Sequence, residues 1–257
     1  MGSTGTYRKQ RAGAPPGFFA CEAAGLRWLR VRGGAPVVGV RGVGGDHLDL
    51  DRLTEVAPTR RAAKDFGRGL AVTHGAGAPR FGSPPDGWSG DGFFGPLEQP
   101  LPMPAGDHDS WGAFLADCRV EPLAAAAERR RVLGPDDVAL LRRLADVLRS
   151  GALDDDDPPA RLHGDLWSGN VLWTPQGATL IDPAAHGGHR ETDLAMLALF
   201  GFPHLDDVLA GYQEVHRLRR GWQHRVALHQ VYPVGMHAVL FGGGYAAQLR
   251  RLAAPYV

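Results

Sequence analysis

The stretch His163-Gly-Asp-Leu-Trp-Ser-Gly-Asn170 is followed by Leu180-Ile-Asp182 and then by Gly188-His-Arg-Glu-Thr-Asp193. It sets a carboxylate, Asp165, five residues before an amide, Asn170, and the next apolar stretch ends on a second carboxylate, Asp182. Phosphoryl transfer asks little covalent work of a protein: it needs in-line placement of a hydroxyl and neutralisation of phosphate charge. Asp165 reads as the catalytic group that orients and deprotonates an attacking hydroxyl. Asn170 and Asp182 read as metal ligands, oxygen donors suited to Mg2+ on the phosphates of ATP. An Asp-to-Asn spacing of this kind is common in loops; His163-Gly164 before it and Ile181-Asp182 after it make it specific. Ser168-Gly169 is expected to supply the tight turn that returns Asn170 toward the metal.

The neighbouring residues read as support. His163 is expected to pack beneath the loop and hydrogen-bond its backbone. Asp193, on the first turn of a predicted helix, caps that helix or braces the catalytic loop through backbone N–H groups, and bracing is the preferred reading. Trp167 is a lid or a core aromatic. His186 and His189 follow Asp182 closely, near where a substrate would sit, with bracing preferred for His189. Lysine is scarce in this chain, which draws attention to Lys9 and to Glu22 thirteen residues on. A strand lysine paired with a helix glutamate is how kinases steady the ATP phosphates.

The rest of the chain bounds the class. With 257 residues and 44% hydrophobic content it can bury a substantial core. Its formal net charge is zero, from 28 basic and 28 acidic side chains. That balance argues against a nucleic-acid partner, and no apolar run is long enough to span a membrane. Cys21 and Cys118 are too few for a disulfide framework and suit a reducing, cytoplasmic setting. Strands are expected from Thr6 to Arg11, Val37 to Val43 and His47 to Leu53, with a helix opened by Pro15-Pro16-Gly17. Further helices are expected over Pro58 to His74, Ser110 to Ala127 and Pro135 to Arg149. The Gly- and Pro-dense stretch from Gly75 to Asp107 reads as an ordered loop that buries Phe81, Trp88, Phe93 and Phe94. The acidic run Asp154 to Asp157 reads as a solvated loop. Short strands flank the motif, and helical pieces from Thr192 onward are expected to break at Gly201-Phe-Pro203, Gly221 and Pro233. The order predicts an α+β, two-lobed protein-kinase-like fold: a small β-rich N-lobe over residues 1–54, a hinge near Leu50 to Glu55, and a mainly helical C-lobe over residues 55–257.

With these residues laid out, the chain resembles the fructosamine kinase (ketosamine-3-kinase) family, within the group that includes aminoglycoside phosphotransferases and choline kinases. The resemblance rests on the Trp-Ser-Gly inside the first motif, on Ile181-Asp-Pro-Ala184 with Gly188 to Met196, and on Ala14-Pro-Pro-Gly-Phe-Phe19 leading to Leu29. It implies ATP-dependent phosphorylation of the C3 hydroxyl of a ketosamine, small or protein-bound, after which the unstable adduct breaks down and the amine is deglycated. It aligns Lys9 and Glu22 with the phosphate-steadying pair and places Asp51, Arg52 and Leu53 at the hinge where adenine binds through backbone groups. The same fold could serve another hydroxyl, of an aminoglycoside, a choline-like alcohol or a sugar, or persist as a non-catalytic nucleotide-site remnant. One departure stands out: the family pattern has a strand, a glycine-rich turn and a second strand before the lysine, and Met1 to Thr6 is too short for that hairpin. The expectation is weak nucleotide affinity, or a homodimer in place of a monomer, covering the open sheet edge.

Overall fold

The computed structural model describes residues 5–257, so the expectation about Met1 to Thr6 lies largely outside the described residues. Strand β1 (Thr6–Gln10), helix α1 (Phe18–Trp28), β2 (Val40–Val43) and β3 (His47–Asp51) form the smaller part, an antiparallel sheet in the order β1-β3-β2. Alternation along β3 turns Leu48 and Leu50 to one face, where they pack with Phe18, Phe19, Ala23 and Leu26 of α1. The register sets Lys9 opposite Leu48. Gly17 opens α1 at φ +80°, and a Cβ there would also strike the Trp88 ring. The predicted strand from Val37 starts later than expected. Val37 and Val38 leave the sheet to meet the motif region, where the Val38 amide donates to the Leu180 carbonyl (3.0 Å) and the Leu180 amide to the Pro36 carbonyl (2.8 Å). Backbone pairing there decides the boundary.

The larger part begins with α2 (Arg60–Gly75), capped by Thr59, whose hydroxyl accepts from the Ala62 amide (3.2 Å). The ordered stretch after it contains a hairpin, β4 (Gly92–Phe94) with β5 (Leu101–Met103). Phe81 and Phe94 are buried there, while Trp88 and Phe93 are only half-buried. The single helix expected over Ser110 to Ala127 is divided. Ser110 caps α3 (Trp111–Leu115), a π-helical turn covers Ala116–Val120, and α4 (Glu121–Arg130) continues from it. Helix α5 (Pro135–Arg149) leads to β6 (Ala160–Leu162), the turn that carries Asp165, β7 (Val171–Thr174), β8 (Gly177–Leu180) and β9 (His186–Gly188). β6 pairs with β9 and β7 with β8, each antiparallel. Four helices close the chain: α6 (Glu191–Leu199), α7 (Leu205–Val215), α8 (Trp222–Phe241) and α9 (Tyr245–Ala253). Pro233 does not break the chain as expected; it lies inside α8, and the break falls at Gly242 and Gly243, both at φ +66°.

Two packing features position the motif. Helices α2 and α7 cross backbone to backbone. A Cβ on Gly67 would overlap the Val208 carbonyl oxygen, and one on Gly211 the Lys64 carbonyl oxygen. The acidic run is not the solvated loop its composition suggested. Asp157 is buried and takes a bidentate pair from Arg190 (2.7 and 3.1 Å), and Asp155 accepts from His189 (3.1 Å). Arg225 then joins Glu191 (2.8 Å) to the same cluster. Four consecutive aspartates look solvated by composition, but Arg190, Arg219, Arg225 and His189 from distant segments pair Asp155 and Asp157, and Asp154 accepts from the Gly112 amide (2.6 Å).

Gly211→Ala should lower stability by about 3 kcal/mol, because the opposing atom is backbone and cannot rotate away; chemical denaturation of the variant measures this. The acidic cluster predicts a pH dependence. Burial opposes charge on Glu191, but the His229 ring 3.5 Å away and the hydrogen-bonded Arg225 guanidinium outweigh it and hold the carboxyl down to about 2. A carboxylate depressed on folding contributes stability above its unfolded pKa of about 4 and loses it as pH falls toward the folded value. The melting temperature should therefore drop between about pH 4 and pH 2, and Glu191→Gln should flatten that part of the curve.

Candidate active site

The turn that carries Asp165 follows β6 and returns through a 3-10 turn, Ser168–Asn170. Gly164 takes φ +81° at its start, where a Cβ would strike the Ala184 carbonyl. Gly169 is required for a different reason than the turn alone. Its backbone is not left-handed, but the Trp167 indole lies directly against it. The Asn170 side-chain amide donates to the Asp165 carbonyl (2.8 Å) and to Asp165 Oδ2 (2.9 Å), so the predicted base and the predicted amide ligand are locked together. Asp182 sits at φ +51°, a left-handed position that a non-glycine residue holds only when its surroundings impose it. Its carboxylate is 40% exposed toward the cavity and lies 3.2 Å from Lys9 Nζ. Lys9 Nζ also donates to Glu22 Oε2 (2.8 Å), as the sequence predicted.

These groups face one cavity of about 290 Å³, whose far walls are Phe93 to Leu97 on one side and Trp167, His237 and Phe241 on the other. Burial pushes the Asp165 carboxyl up to about 7, opposed by the Asn170 hydrogen bond and reinforced by the negative charges of Asp182 and Asp193. Burial also disfavours charge on Lys9, but Glu22 and Asp182 outweigh it and its pKa is raised. Burial pushes Glu22 upward as well, against the opposing pull of Lys9. With the pair in contact and Lys9 only 11% exposed, the ion pair is the form the geometry favours.

The turn is held from below. Asp193 Oδ2 accepts from the His163 amide (2.8 Å) and Oδ1 from the Gly164 amide (2.9 Å). His74 Nε2 donates to the same carboxylate (3.1 Å), and His74 Nδ1 accepts from the Tyr212 hydroxyl (2.8 Å). Asp193 is thus the expected brace. His74 and Tyr212, from the glycine-packed helices α2 and α7, were not foreseen, because nothing in local spacing links them to the motif. His163 is buried, as expected. Its Nδ1 accepts from the Asp165 amide (3.2 Å) and its Nε2 donates to the Ile181 carbonyl (2.8 Å), which joins the base to the strand leading into Asp182.

The remaining candidates separate. Trp167 is 38% exposed at the mouth and meets Phe200 edge-on at 6.1 Å, so it covers the site and is no core aromatic. His189 is a brace: its Nδ1 accepts from the Glu191 amide while Nε2 binds Asp155. His186 does not border the catalytic cavity; it is buried behind the turn and donates from Nδ1 to the Ala184 carbonyl (2.8 Å). Nor do Asp51, Arg52 and Leu53 border it. The Asp51 amide donates to the Gly39 carbonyl (2.8 Å) and the Arg52 amide to the Gly5 carbonyl (2.9 Å).

Fold and site together define a phosphotransferase of the protein-kinase-like class. The sequence profile of the family described as "Fructosamine kinase" matches residues 8–256. A probable ketoamine kinase of Synechocystis is 33% identical over 241 residues, covering 91% of this chain and 77% of that protein. One of Thermus thermophilus is 34% identical over 239 residues, covering 92% and 82%. The crystal structure of a Thermobifida fusca protein assigned as a fructosamine-3-kinase superposes with a TM-score of 0.88 at 45% identity, covering 98% of this chain and 85% of that one. Aminoglycoside phosphotransferase APH(4)-Ia, at 16% identity, 97% of this chain, 94% of that chain and a TM-score of 0.55, shares the fold. The chain belongs to the fructosamine kinase family and is an ATP-dependent phosphotransferase.

Asp193→Asn tests the brace. An amide presents an N–H toward one of the two backbone donors and cannot accept from both. Stability should fall by about 3 kcal/mol, and kcat should fall at least tenfold with little change in KM for ATP, as steady-state kinetics on the folded variant will show.

Proposed function

We propose that this protein transfers the γ-phosphoryl group of ATP to the C3 hydroxyl of a ketosamine, and that the unstable product then releases the amine. One observation carries the reading: Lys9, Glu22, Asp165, Asn170 and Asp182, separated widely in sequence, face a single cavity in a chain of this family. Asp165 accepts the hydrogen bond from the C3 hydroxyl and takes its proton as the oxygen attacks. The Asn170 amide, fixed on Asp165, sets the angle of that carboxylate. Lys9, held by Glu22, points its ammonium at the phosphates. The residues also fit a magnesium ion: Asp182 and the Asn170 oxygen are hard donors on one side of the cavity. When bound, Mg2+ supplies positive charge to the phosphate oxygens. With both cysteines free, we place the reaction in the reducing cytoplasm.

The mouth supports a sugar–amine acceptor over a polycation. Among the described residues, no carboxylate apart from Glu22, Asp165 and Asp182 lines the cavity, whereas an aminoglycoside site would want a surplus of acids. The aromatic set of Trp167, His237 and Phe241 offers an apolar face to a sugar ring. It would equally suit a quaternary amine, so choline belongs in the acceptor panel.

Magnesium-dependent ATP consumption should be seen with fructose–lysine or ribulose–lysine adducts and not with choline or aminoglycosides. Asp165→Asn should remove turnover, by at least a thousandfold, while nucleotide binding by calorimetry stays within about threefold; wild-type-like turnover would remove Asp165 from its role. Asp182→Asn should shift the magnesium activation curve to higher concentration, and an unchanged curve would contradict its part as a ligand.

A further inference from the structure

Arg119 stands outside the machinery described above. It lies on the π-helical turn between α3 and α4 and is 2% exposed. Its Nη1 donates to the carbonyls of Pro104 (2.7 Å) and Cys118 (2.8 Å), and its Nη2 has no partner. The guanidinium stacks against Phe114 (4.6 Å to the ring centre) and Tyr232 (5.5 Å). Among the described residues it makes no ion pair. Asp91, whose charge reaches it, places its carboxylate on the Ala105 amide (3.0 Å) instead. An arginine cannot shed its proton in a protein, so a buried guanidinium with an idle donor is costly unless something anionic completes it. π-helical turns occur often at functional sites, where they re-aim a side chain.

The space beside Arg119 is a cavity of about 30 Å³, also bounded by Tyr232, Phe94, His186 and Gly164. A single water needs about 10–15 Å³, so this cavity admits a carboxylate or a pair of waters but not a peptide. It adjoins the chemistry. Gly164 precedes Asp165, and Phe94, which meets the Tyr232 ring at 5.6 Å, is a wall of both this cavity and the catalytic one.

We propose that the cavity at Arg119 is a carboxylate subsite: Arg119 binds the carboxylate of the amino-acid portion of the ketosamine, reached by displacement of the Phe94 ring. This deepens the ketosamine reading and rests on it. The substrate class it names is the ketosamine of a free amino acid, not glycated protein, whose adducts carry no carboxylate beside the amine that could enter so small a space. Arg119 is then a binding residue that sets specificity.

The test compares fructosyl-glycine with fructosyl-methylamine, which lacks only the carboxylate, in the wild type, Arg119→Met and Arg119→Lys. Wild-type kcat/KM should favour the glycine adduct by at least tenfold. Arg119→Met should erase that preference by raising KM for the glycine adduct alone, leaving the methylamine adduct within twofold, and Arg119→Lys should keep part of it. Equal wild-type rates, or an equal loss for both adducts in Arg119→Met, would overturn the subsite and leave Arg119 a packing residue. If Arg119→Met does not fold, the wild-type preference and the Arg119→Lys variant decide. Sodium formate, with sodium chloride as the ionic-strength control, gives a readout independent of turnover. Formate should raise the melting temperature of the wild type more than that of the variant. If no ketosamine is turned over but formate still discriminates, the subsite stands and the ketosamine reading falls; if formate has no effect on the wild type, the cavity holds water and the subsite falls.

Discussion

A single buried carboxylate, Asp193, holds the reacting groups in register. It accepts from two successive backbone amides, of His163 and Gly164, and from the His74 ring, in surroundings with no solvent exposure. Hydrogen bonds to an ionised acceptor away from water are short, directional and strong. Three of them fix where β6 ends and how the chain turns. Asp165 then projects from a turn it cannot adjust for itself. His163 carries the constraint onward to the Ile181 carbonyl, and so to Asp182. Asp165 and Asp182 therefore share one foundation although they follow different strands, β6 and β8.

The second constraint joins the two parts of the molecule. Val37 and Val38 pair with β8, whose end bears Asp182, while Lys9 on β1 reaches both Glu22 and Asp182. The sheet carrying Lys9 is thereby tied to the segment that carries Asp182, by backbone on one side and by charge on the other. Such partly buried ion pairs contribute little net stability once desolvation is counted. Their use here is geometric: they set the distance across which phosphates would lie. The cluster of Asp155, Asp157, Arg190, Glu191 and Arg225 acts similarly beneath α6, anchoring the helix that supplies Asp193.

Much of this was legible in the chain. The spacing of Asp165, Asn170 and Asp182 named the reaction class because each residue type has a fixed chemical use at that spacing. Lys9 and Glu22 were legible because lysine is scarce in this chain and because the family resemblance aligned the two as a pair. The role of His163 followed from its position beneath a turn. Other parts were misread for identifiable reasons. Pro233 looked like a helix end, but the packing of α8 against α4, α6 and α9 outweighs one missing donor. Asp154 to Asp157 looked solvated because composition reports charge and cannot report partners.

The sequence by itself determined the fold class and the family, and it singled out Asp165, Asn170, Asp182 and the Lys9–Glu22 pair as the residues that meet at one cavity. All of these rest on short-range spacing, on periodicity, or on motifs contained within a few residues. Only the tertiary structure decided that His74 and Tyr212 support Asp193, that Trp167 covers the mouth, and that Arg119 is buried without a counter-charge beside the site. Each of these depends on which distant segments meet. Those meetings involve the glycine-mediated crossing of α2 with α7 and the π-helical turn that carries Arg119, features that carry no local periodicity to be read in advance.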